Sequence, residues 1–220
     1  RNRLNAPVTF LIEDDALRAL DAGKVRFPLV VKPRRGQGSL GLHVVYEKAE
    51  LSAALLLARA QVARFKDNGL SVKDGGLSVI IQEFLIGEEF GLDVVNDLEG
   101  QFRACLVKRK LGMRAGETDA AESVRDAALE KFGAAIGCAL GHLGMLDVDV
   151  IVRNGQPYLL EFNPRFGGHY PFSHMAGANV PAALLAWARG EEPKPEWLQV
   201  GKGIISLKEY SMRVQMQTYA

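Results

Sequence analysis

Side chains with oxygen donors stand close together in the stretch 146-LDVDVIVRNGQPYLLEFNPRFGG-168. Asp147 and Asp149 share one face of a predicted strand, and Glu161 and Asn163 share one face of the next, because successive side chains of a strand point to opposite faces. Carboxylate and amide oxygens are hard ligands of the kind that Mg²⁺ takes in proteins. No His or Cys stands among them, which argues against zinc. The pattern therefore predicts a magnesium site, provided that the two strands bring their side chains together.

The turn between these two strands decides whether the side chains meet. A two-residue turn at Asn154-Gly155 would pair Glu161 with Val148 and send the carboxylates to opposite faces. A three-residue loop that includes Gln156 would pair Glu161 with Asp149. We predict the three-residue loop, because the alternative buries acids among valines. An exposed hairpin with a polar outer face remains the other interpretation. The predicted metal ligands are Asp149, Glu161 and Asn163.

An arginine follows the predicted ligands directly, in Asn163-Pro-Arg165-Phe-Gly-Gly. The guanidinium of Arg165 could bind a transferring phosphoryl group or a carboxylate through two hydrogen bonds. The alternative is a surface salt bridge, which contributes little. We predict that Arg165 contacts the reacting groups.

A glycine-rich loop in 29-LVVKPRRGQGSLGLHVV-45 contains the spacing Gly-x-Gly-x-x-Gly. A dinucleotide-binding fold needs such glycines to open a helix, but here strand-like residues follow. A kinase places its lysine after the loop, whereas Lys32 precedes it, and the sequence contains no HRD, DFG or Walker motif. Glycine amides approach an anion closely and a lysine supplies a point charge. We therefore predict phosphate binding, with a flexible surface hairpin as the alternative. The predicted phosphate-binding residues are Lys32, Gly36, Gly38 and Ser39.

A hinge-like segment, 81-IQEFLIGEEF-90, lies between the two candidate sites. An apolar strand ends at Leu85-Ile-Gly87, and two glutamates follow. Backbone groups from Glu83 to Leu85 could hydrogen-bond the edge of an adenine, and Glu89 could accept hydrogen bonds from ribose hydroxyls. Solvated glutamates are the simpler alternative.

The elements that must position these residues alternate without a regular β-α-β repeat. Hydrophobic patterning predicts strands at 28–32, 42–47, two within 78–96, 101–109, 145–152, 157–163 and 203–212. It predicts three helices: one over 48–65, one from an N-cap at Ser123 to about Gly141, and one from Pro181 to Arg189. The second helix is expected to turn Leu129, Phe132, Ile136 and Leu140 inward. The segment 110–122 is predicted to be a loop. This order of elements favours an α+β fold.

Composition narrows the class of protein. The chain has 220 residues, 48% of them apolar, and a net charge of +1, with no basic block, so neither nucleic acid nor a membrane is expected as a partner. No apolar run approaches the roughly 20 residues that span a bilayer. Cys105 and Cys138 lie far apart, and we expect buried free thiols in a reducing, cytoplasmic compartment.

Four ordered segments together resemble the ATP-grasp superfamily, in particular the branch of carbamoyl-phosphate synthase large chains and carboxylate–amine ligases. The segments are Pro28-Leu-Val-Val-Lys32-Pro with its glycine loop, Gln82-Glu83-Phe84-Leu85-x-Gly87-x-Glu89-Phe90, Arg114-Ala-Gly-Glu-Thr118 and Glu161-Phe-Asn163-Pro-Arg165-Phe-Gly-Gly168. They cover about residues 28 to 190. The resemblance implies two α+β lobes, 1–85 and 86–220, that clamp ATP between them. It also implies an N-terminal domain that this sequence lacks, expected as a further domain or a partner chain.

The resemblance implies a role for each matching residue. The glycine loop would close over the phosphates as a lid, and a magnesium ion, which manganese could replace, would be held between protein and phosphate oxygens. Lys108 or Lys110 would contact adenine or phosphate, and the two remain open alternatives. The implied sites are phosphate at Lys32, adenine at Gln82, Glu83 and Leu85, ribose at Glu89, metal at Asp149, Glu161 and Asn163, and reacting groups at Arg165 and Arg114.

The implied chemistry is the ATP-dependent activation of a small-molecule carboxylate as an acylphosphate, which an amine or a similar nucleophile then attacks. Two alternatives stay open. One is a component like carbamoyl-phosphate synthase that phosphorylates bicarbonate or carbamate. The other is a nucleotide-binding module without activity on its own. His169 and His174 flank the predicted substrate loop, where a structural role is as plausible as contact with substrate.

Overall fold

The computed structural model describes residues 4–35, 41–66 and 77–209, whose strands form two antiparallel sheets. The first sheet has the order β1–β4–β2–β3, built from β1 (Thr9–Phe10), β2 (Leu29–Pro33), β3 (His43–Val45) and β4 (Val79–Glu83). Helices α1 (Glu13–Asp21) and α2 (Lys48–Lys66) complete this unit. Apolar residues of both helices, such as Ala16, Leu51 and Ala58, are buried with Leu29 and Val31 of β2, so this unit has its own core.

The second sheet has six strands in the order β10–β7–β6–β5–β8–β9. They are β5 (Glu88–Asn96), β6 (Phe102–Arg114), β7 (Glu117–Val124), β8 (Met145–Arg153), β9 (Gln156–Asn163) and β10 (Ile205–Leu207). Helix α3 (Ala127–Leu140) packs on one face through Leu129, Phe132 and Ile136. Helices α4 (Tyr170–Met175) and α5 (Val180–Ala188), with a 3₁₀ helix at Pro195–Leu198, pack on the other face.

Strand alternation divides the second sheet into an apolar face and a mixed face. On β5, Leu92 and Val94 join the core under α3, whereas Asp93 lies on the side of α4 and is fully buried. This face also carries apolar residues such as Val95 and Leu106, so its charged side chains are set among buried carbon. It is the face on which the predicted metal ligands lie.

The β8–β9 hairpin reaches the predicted pairing by an unpredicted route. Arg153 pairs with Gln156, so the turn has two residues, Asn154 and Gly155, with φ of 52° and 72°; the predicted three-residue loop is wrong. The expected partners nevertheless meet, because a bulge in β9 shifts the register by one residue between Asp149 and Val150. The resulting pairs are Asp149 with Glu161 and Asp147 with Asn163.

Two further predictions about secondary structure are wrong. The segment 110–122 is not a loop: β6 continues to Arg114, and β7 begins at Glu117. Ser123 does not cap α3 but lies in β7, where its hydroxyl donates to the Gly201 carbonyl. Asp126 caps the helix instead, with Oδ1 accepting from the amides of Ala128 and Leu129.

Smaller differences concern exposure and an unpredicted element. Leu140, expected inward, is exposed because it lies at the end of α3. Cys138 is exposed rather than buried, and both cysteines are free thiols. Helix α1 was not predicted. In the part of the chain described, no helix is both long and apolar enough to cross a membrane.

Candidate functional site

A row of charged side chains crosses four neighbouring strands of the second sheet, on the face toward α4. Glu89 comes from β5, Lys110 from β6, Asp149 from β8 and Glu161 from β9. Lys110 Nζ lies 2.7 Å from Asp149 Oδ1 and 3.9 Å from Glu89 Oε2. Glu161 stands directly across from Asp149 and is exposed. The β8–β9 register therefore places two carboxylates side by side, and the exposed one, Glu161, lies on the edge strand β9.

The first sheet contributes Lys32 to the same place. Burial lowers the pKa of Lys32, and the nearby carboxylates of Glu161 and Asp149 act in the opposite direction. Contacts also join β4 and the segment before β1 to the β8–β9 hairpin: Arg153 Nη1 donates to Glu83 at 2.9 Å, and the Leu159 amide donates to the Asn5 carbonyl at 2.9 Å. Lys32 thus lies within electrostatic reach of the acidic pair.

The oxygen donors at this position suit a hard divalent cation. Asp149 Oδ1 is buried, and Lys110 contacts it as an ion pair without the alignment of a hydrogen bond, so its lone pairs are poorly satisfied. Glu161 and Asn163 present further oxygens from the neighbouring strand. A carboxylate pair with an adjacent amide matches the ligand preference of Mg²⁺.

A buried charge network lies beneath the row. Lys108 Nζ is 2.5 Å from Asp93 Oδ2, and their side chains are 1% and 0% exposed. Ser173 Oγ donates to the same carboxylate at 2.5 Å, and His169 Nδ1 lies 3.0 Å from the ammonium. Burial alone would raise the pKa of Asp93, but the Lys108 charge and His169 hold it well below its usual range. Lys108 is therefore held within this buried network, whereas Lys110 pairs with carboxylates of the row.

The network continues to the predicted arginine. The His169 Nε2 atom contacts the Asp147 carboxylate, and Arg165 Nη1 lies 3.1 Å from Asp147 Oδ2. Burial disfavours the charged forms of both Asp147 and His169. Even so, the contact with His169 lowers the pKa of Asp147, and the hydrogen bonds to Asp147 and Asp93 raise the pKa of His169. A Cβ at Gly167 would lie 2.1 Å from Asp147 Oδ1, so glycine is needed there for the chain to pass. Half of the Arg165 side chain remains exposed beside the row.

The hinge residues are held partly by the first sheet. Gln82 is buried, and its Nε2 donates to Thr9 Oγ1 at 3.0 Å, so this side chain is engaged within the sheet. The Glu83 carboxylate is engaged by Arg153, and the Glu83 amide donates to Val8. Leu85 is buried. Protein partners thus already hold the side chains of Gln82 and Glu83.

The remaining predicted residues are more scattered. A cavity of about 410 Å³, lined in part by Glu89, Lys110 and Gly112, opens at the end of the row. Arg114 lies at the tip of the β6–β7 hairpin, where Nη2 is 2.7 Å from Asp119 Oδ2. His174 is exposed on α4. The predicted phosphate residues Gly36, Gly38 and Ser39 lie outside the described residues.

Sequence reasoning missed the buried network. The sequence does contain a signal for it, because Asp93 and Lys108 each lie within an apolar strand. A buried acid and a buried base on adjacent strands are rarely left unpaired. Asp93, Asp147 and His169 also bring ligand atoms within 4.8 Å of one another, a spacing at which three such groups could hold a metal. Here the Lys108 and Arg165 cations already contact the two carboxylates.

Comparison with known proteins identifies the class. Residues 77–209 match the model of a family described as ATP-grasp in the biosynthetic pathway with Ter operon. The match covers more than half of the chain, which therefore belongs to this ATP-grasp family. The resemblance drawn from the sequence motifs and the α+β ATP-grasp fold are both confirmed.

Curated relatives are similar at low identity. The chain is 25% identical over 191 residues to a biotin carboxylase from Pseudomonas aeruginosa, covering 83% of this chain and 41% of the relative. It is 24% identical over 176 residues to a carbamoyl phosphate synthase large chain from Clostridium beijerinckii, covering 76% and 15%. The chain thus spans less than half the length of either relative.

Solved structures show the same fold. A Campylobacter jejuni biotin carboxylase, solved as a β-γ-ATP complex, superposes with a TM-score of 0.70 at 17% identity, covering 90% of this chain and 45% of the other. A biotin carboxylase domain of Hydrogenobacter thermophilus 2-oxoglutarate carboxylase, solved with MgADP, ADP and bicarbonate, gives 0.67 at 14% identity, covering 87% and 43%. At these identities the likeness concerns the fold.

Proposed function

We propose that this chain forms the ATP-clamping part of an ATP- and Mg²⁺-dependent ligase that activates a carboxylate as an acylphosphate for attack by an amine or a similar nucleophile. The observation that carries the proposal is the pairing of Asp149 with Glu161, with Lys110 in contact with Asp149 and Lys32 within electrostatic reach of both acids. Adjacent carboxylates bind a divalent cation, and the lysines supply the charges that a polyphosphate needs.

The residues at the acidic pair would divide the work between metal and phosphate. Asp149, Glu161 and Asn163 would hold the metal, for which Mn²⁺ could substitute. Lys32 would bind phosphate together with the loop residues Gly36, Gly38 and Ser39. Lys110 is the better second lysine, because the ammonium of Lys108 is enclosed against Asp93. When bound, the metal would neutralise charge on the phosphates.

The adenosine would lie along the hinge, between lobes that we assign to residues 1–85 and 86–220. Backbone groups from Glu83 to Leu85 would hydrogen-bond the edge of the adenine. Gln82 would contribute indirectly, by helping to hold β4 in place. Glu89 borders the cavity at the end of the row and would accept hydrogen bonds from the ribose. This assignment fits a hinge whose side chains are already engaged within the protein.

The chemistry requires positioning more than a protein nucleophile. A carboxylate oxygen of the substrate attacks the γ-phosphorus, ADP leaves, and the nucleophile then attacks the acyl carbon and releases phosphate. Arg165, oriented by Asp147, would hold the substrate carboxylate and stabilise the charge that develops during transfer. Arg114, at the tip of its hairpin, is a further candidate for contact with the triphosphate. Part of the acceptor site would come from a further domain or a partner chain.

A second candidate function is the phosphorylation of bicarbonate or carbamate. It is favoured by the relatives named biotin carboxylase and carbamoyl phosphate synthase, and by a structural neighbour solved with bicarbonate. Stimulation of ATP hydrolysis by bicarbonate would distinguish it from the first candidate, whereas ADP release that requires another carboxylate and an amine would favour the first.

Calorimetric titration with ATP tests the shared basis of both candidates. We expect ATP binding that requires Mg²⁺ and that weakens by about tenfold or more in Glu161→Ala, since a metal carboxylate is lost. Glu191→Ala removes an equal charge from an exposed position after α5 and should bind like the wild-type chain. A wild-type chain that fails to bind ATP, or a Glu161→Ala variant that binds it normally, would contradict the proposal.

A further inference from the structure

Lys110 occupies the position where the cation of the site is expected. Its ammonium lies 2.7 Å from Asp149 Oδ1, one of the oxygens assigned to the metal, and 3.9 Å from Glu89 Oε2. The Lys110 side chain is only 6% exposed. A lysine ordinarily extends its ammonium into water. Here the ammonium is turned onto the carboxylate instead.

Positive side chains already offset most of the negative charge at this position. Glu89, Asp149 and Glu161 are acidic, and Lys110 and Lys32 are basic, so the five ionised side chains sum to a single negative charge. A divalent cation that arrives alone must displace an ammonium and leaves a surplus of positive charge. Like charges a few ångströms apart in a partly buried site repel strongly. A metal that arrives with a polyphosphate brings the compensating negative charge with it.

The site also contains space into which the lysine can move. Lys110 and Glu89 line the cavity of about 410 Å³ at the end of the row. Lys108, two residues earlier on β6, has no such freedom, because Asp93 and His169 enclose its ammonium. Lys110 is thus the lysine of this strand that can leave its carboxylate without leaving the site.

We propose that Lys110 is an internal counter-cation that holds the metal position in the nucleotide-free protein. The divalent metal therefore binds weakly by itself and enters as the metal–nucleotide complex, and the Lys110 ammonium passes from Asp149 to the phosphates. This inference rests on the proposed function for the identity of the nucleotide site. It goes beyond that function by stating the order in which metal and nucleotide are taken up.

Binding of Mn²⁺ in the absence of nucleotide, followed by electron paramagnetic resonance of the free ion, tests the inference directly. Lys110→Met should bind Mn²⁺ about tenfold more tightly than the wild-type chain, because a competing charge within a few ångströms is removed. Lys110→Gln should behave in the same way and guards against a folding defect of the first variant. Lys110→Arg keeps the charge and should stay within about twofold of the wild type.

A matched control separates this effect from a general change in net charge. Lys131→Met removes the same charge from an exposed position on α3, which covers the opposite face of the sheet, and should leave Mn²⁺ binding unchanged. In calorimetry with MgATP, Lys110→Met should bind about tenfold more weakly than the wild type, because a phosphate contact is lost. Opposite effects on the free metal and on the metal–nucleotide complex are the expected signature.

Three results would overturn the inference: Lys110→Met and Lys110→Gln bind Mn²⁺ no more tightly than the wild type, Lys131→Met tightens binding equally, or none of the proteins binds Mn²⁺. Failure of the wild-type chain to bind MgATP would instead contradict the proposed function. The comparison in Mn²⁺ alone would still decide whether Lys110 competes with the metal.

Discussion

The buried pair of Asp93 and Lys108 gives a quantitative prediction about stability. Asp93→Asn keeps the shape of the side chain but leaves the Lys108 ammonium, 1% exposed, without its carboxylate. Leaving one partner of a buried ion pair uncompensated costs about 3–5 kcal/mol of unfolding free energy. Lys108→Met should cost less, about 2 kcal/mol, because Asp93 still accepts from Ser173 and lies 3.3 Å from His169. The double variant should lose less unfolding free energy than the two single variants lose together, because neither charge is then left buried without a partner.

The pKa of Asp93 sets the pH at which the effect is measured. Its pKa is lowered from 3.8, so the carboxylate favours folding at every pH above that value, and its contribution is lost only as the pH falls through the lower folded-state pKa. Near neutral pH the full effect of Asp93→Asn is therefore present.

Equilibrium unfolding in urea, followed by circular dichroism, measures these losses. The control is Arg18→Met, which breaks an exposed pair between Arg18 and Asp15 in α1 and should change stability by less than about 1 kcal/mol. A loss below about 1 kcal/mol for Asp93→Asn, or a double variant whose loss equals the sum of the single losses, would refute the reasoning that the two buried charges depend on each other.

Two further predictions concern the residues around this network. Gly167→Ala would place a Cβ 2.1 Å from Asp147 Oδ1 and should lower the unfolding free energy by about 1–3 kcal/mol. Gly168→Ala is the matched control, because nothing lies within 4 Å of a Cβ at Gly168. Equal stabilities of the two variants would show that the close approach is unimportant. Burial raises the pKa of Tyr170 to about 12, and its hydroxyl accepts a hydrogen bond from the Val180 amide. Since the neutral phenol is favoured in the folded state, its contribution to stability should be complete below pH 10 and lost as the pH rises through about 12. An ultraviolet titration of the wild-type chain and Tyr170→Phe isolates this phenol, and ionisation of Tyr170 at the ordinary pH of an exposed tyrosine would contradict the prediction.

Local patterns in the sequence predicted most of the elements and the class of protein. Alternating and helical periodicities located β2, α2, β8 and β9 to within a few residues, because each pattern is read from one segment and its own burial. The ordered motifs around Lys32 and Glu161 identified the ATP-grasp family, which the family match confirmed. Boundaries that depend on a competing partner were less predictable: Ser123 has the chemistry of a helix cap, but Asp126 supplies the cap while the Ser123 hydroxyl bonds to the distant Gly201.

The arrangement of the site was decided by contacts between distant segments. Glu161 meets Asp149 because a bulge in β9 corrects the register set by a two-residue turn, and a one-residue slip would have turned the carboxylate to the other face. Lys108 and Lys110 are equivalent in the sequence, since both point to the same side of β6. Only packing against Asp93 and His169 encloses the first and leaves the second beside the cavity. The amino-acid sequence by itself determined which chemical groups are present and on which strands they lie. The tertiary structure decided which of them meet, because burial and register depend on residues far apart in the chain.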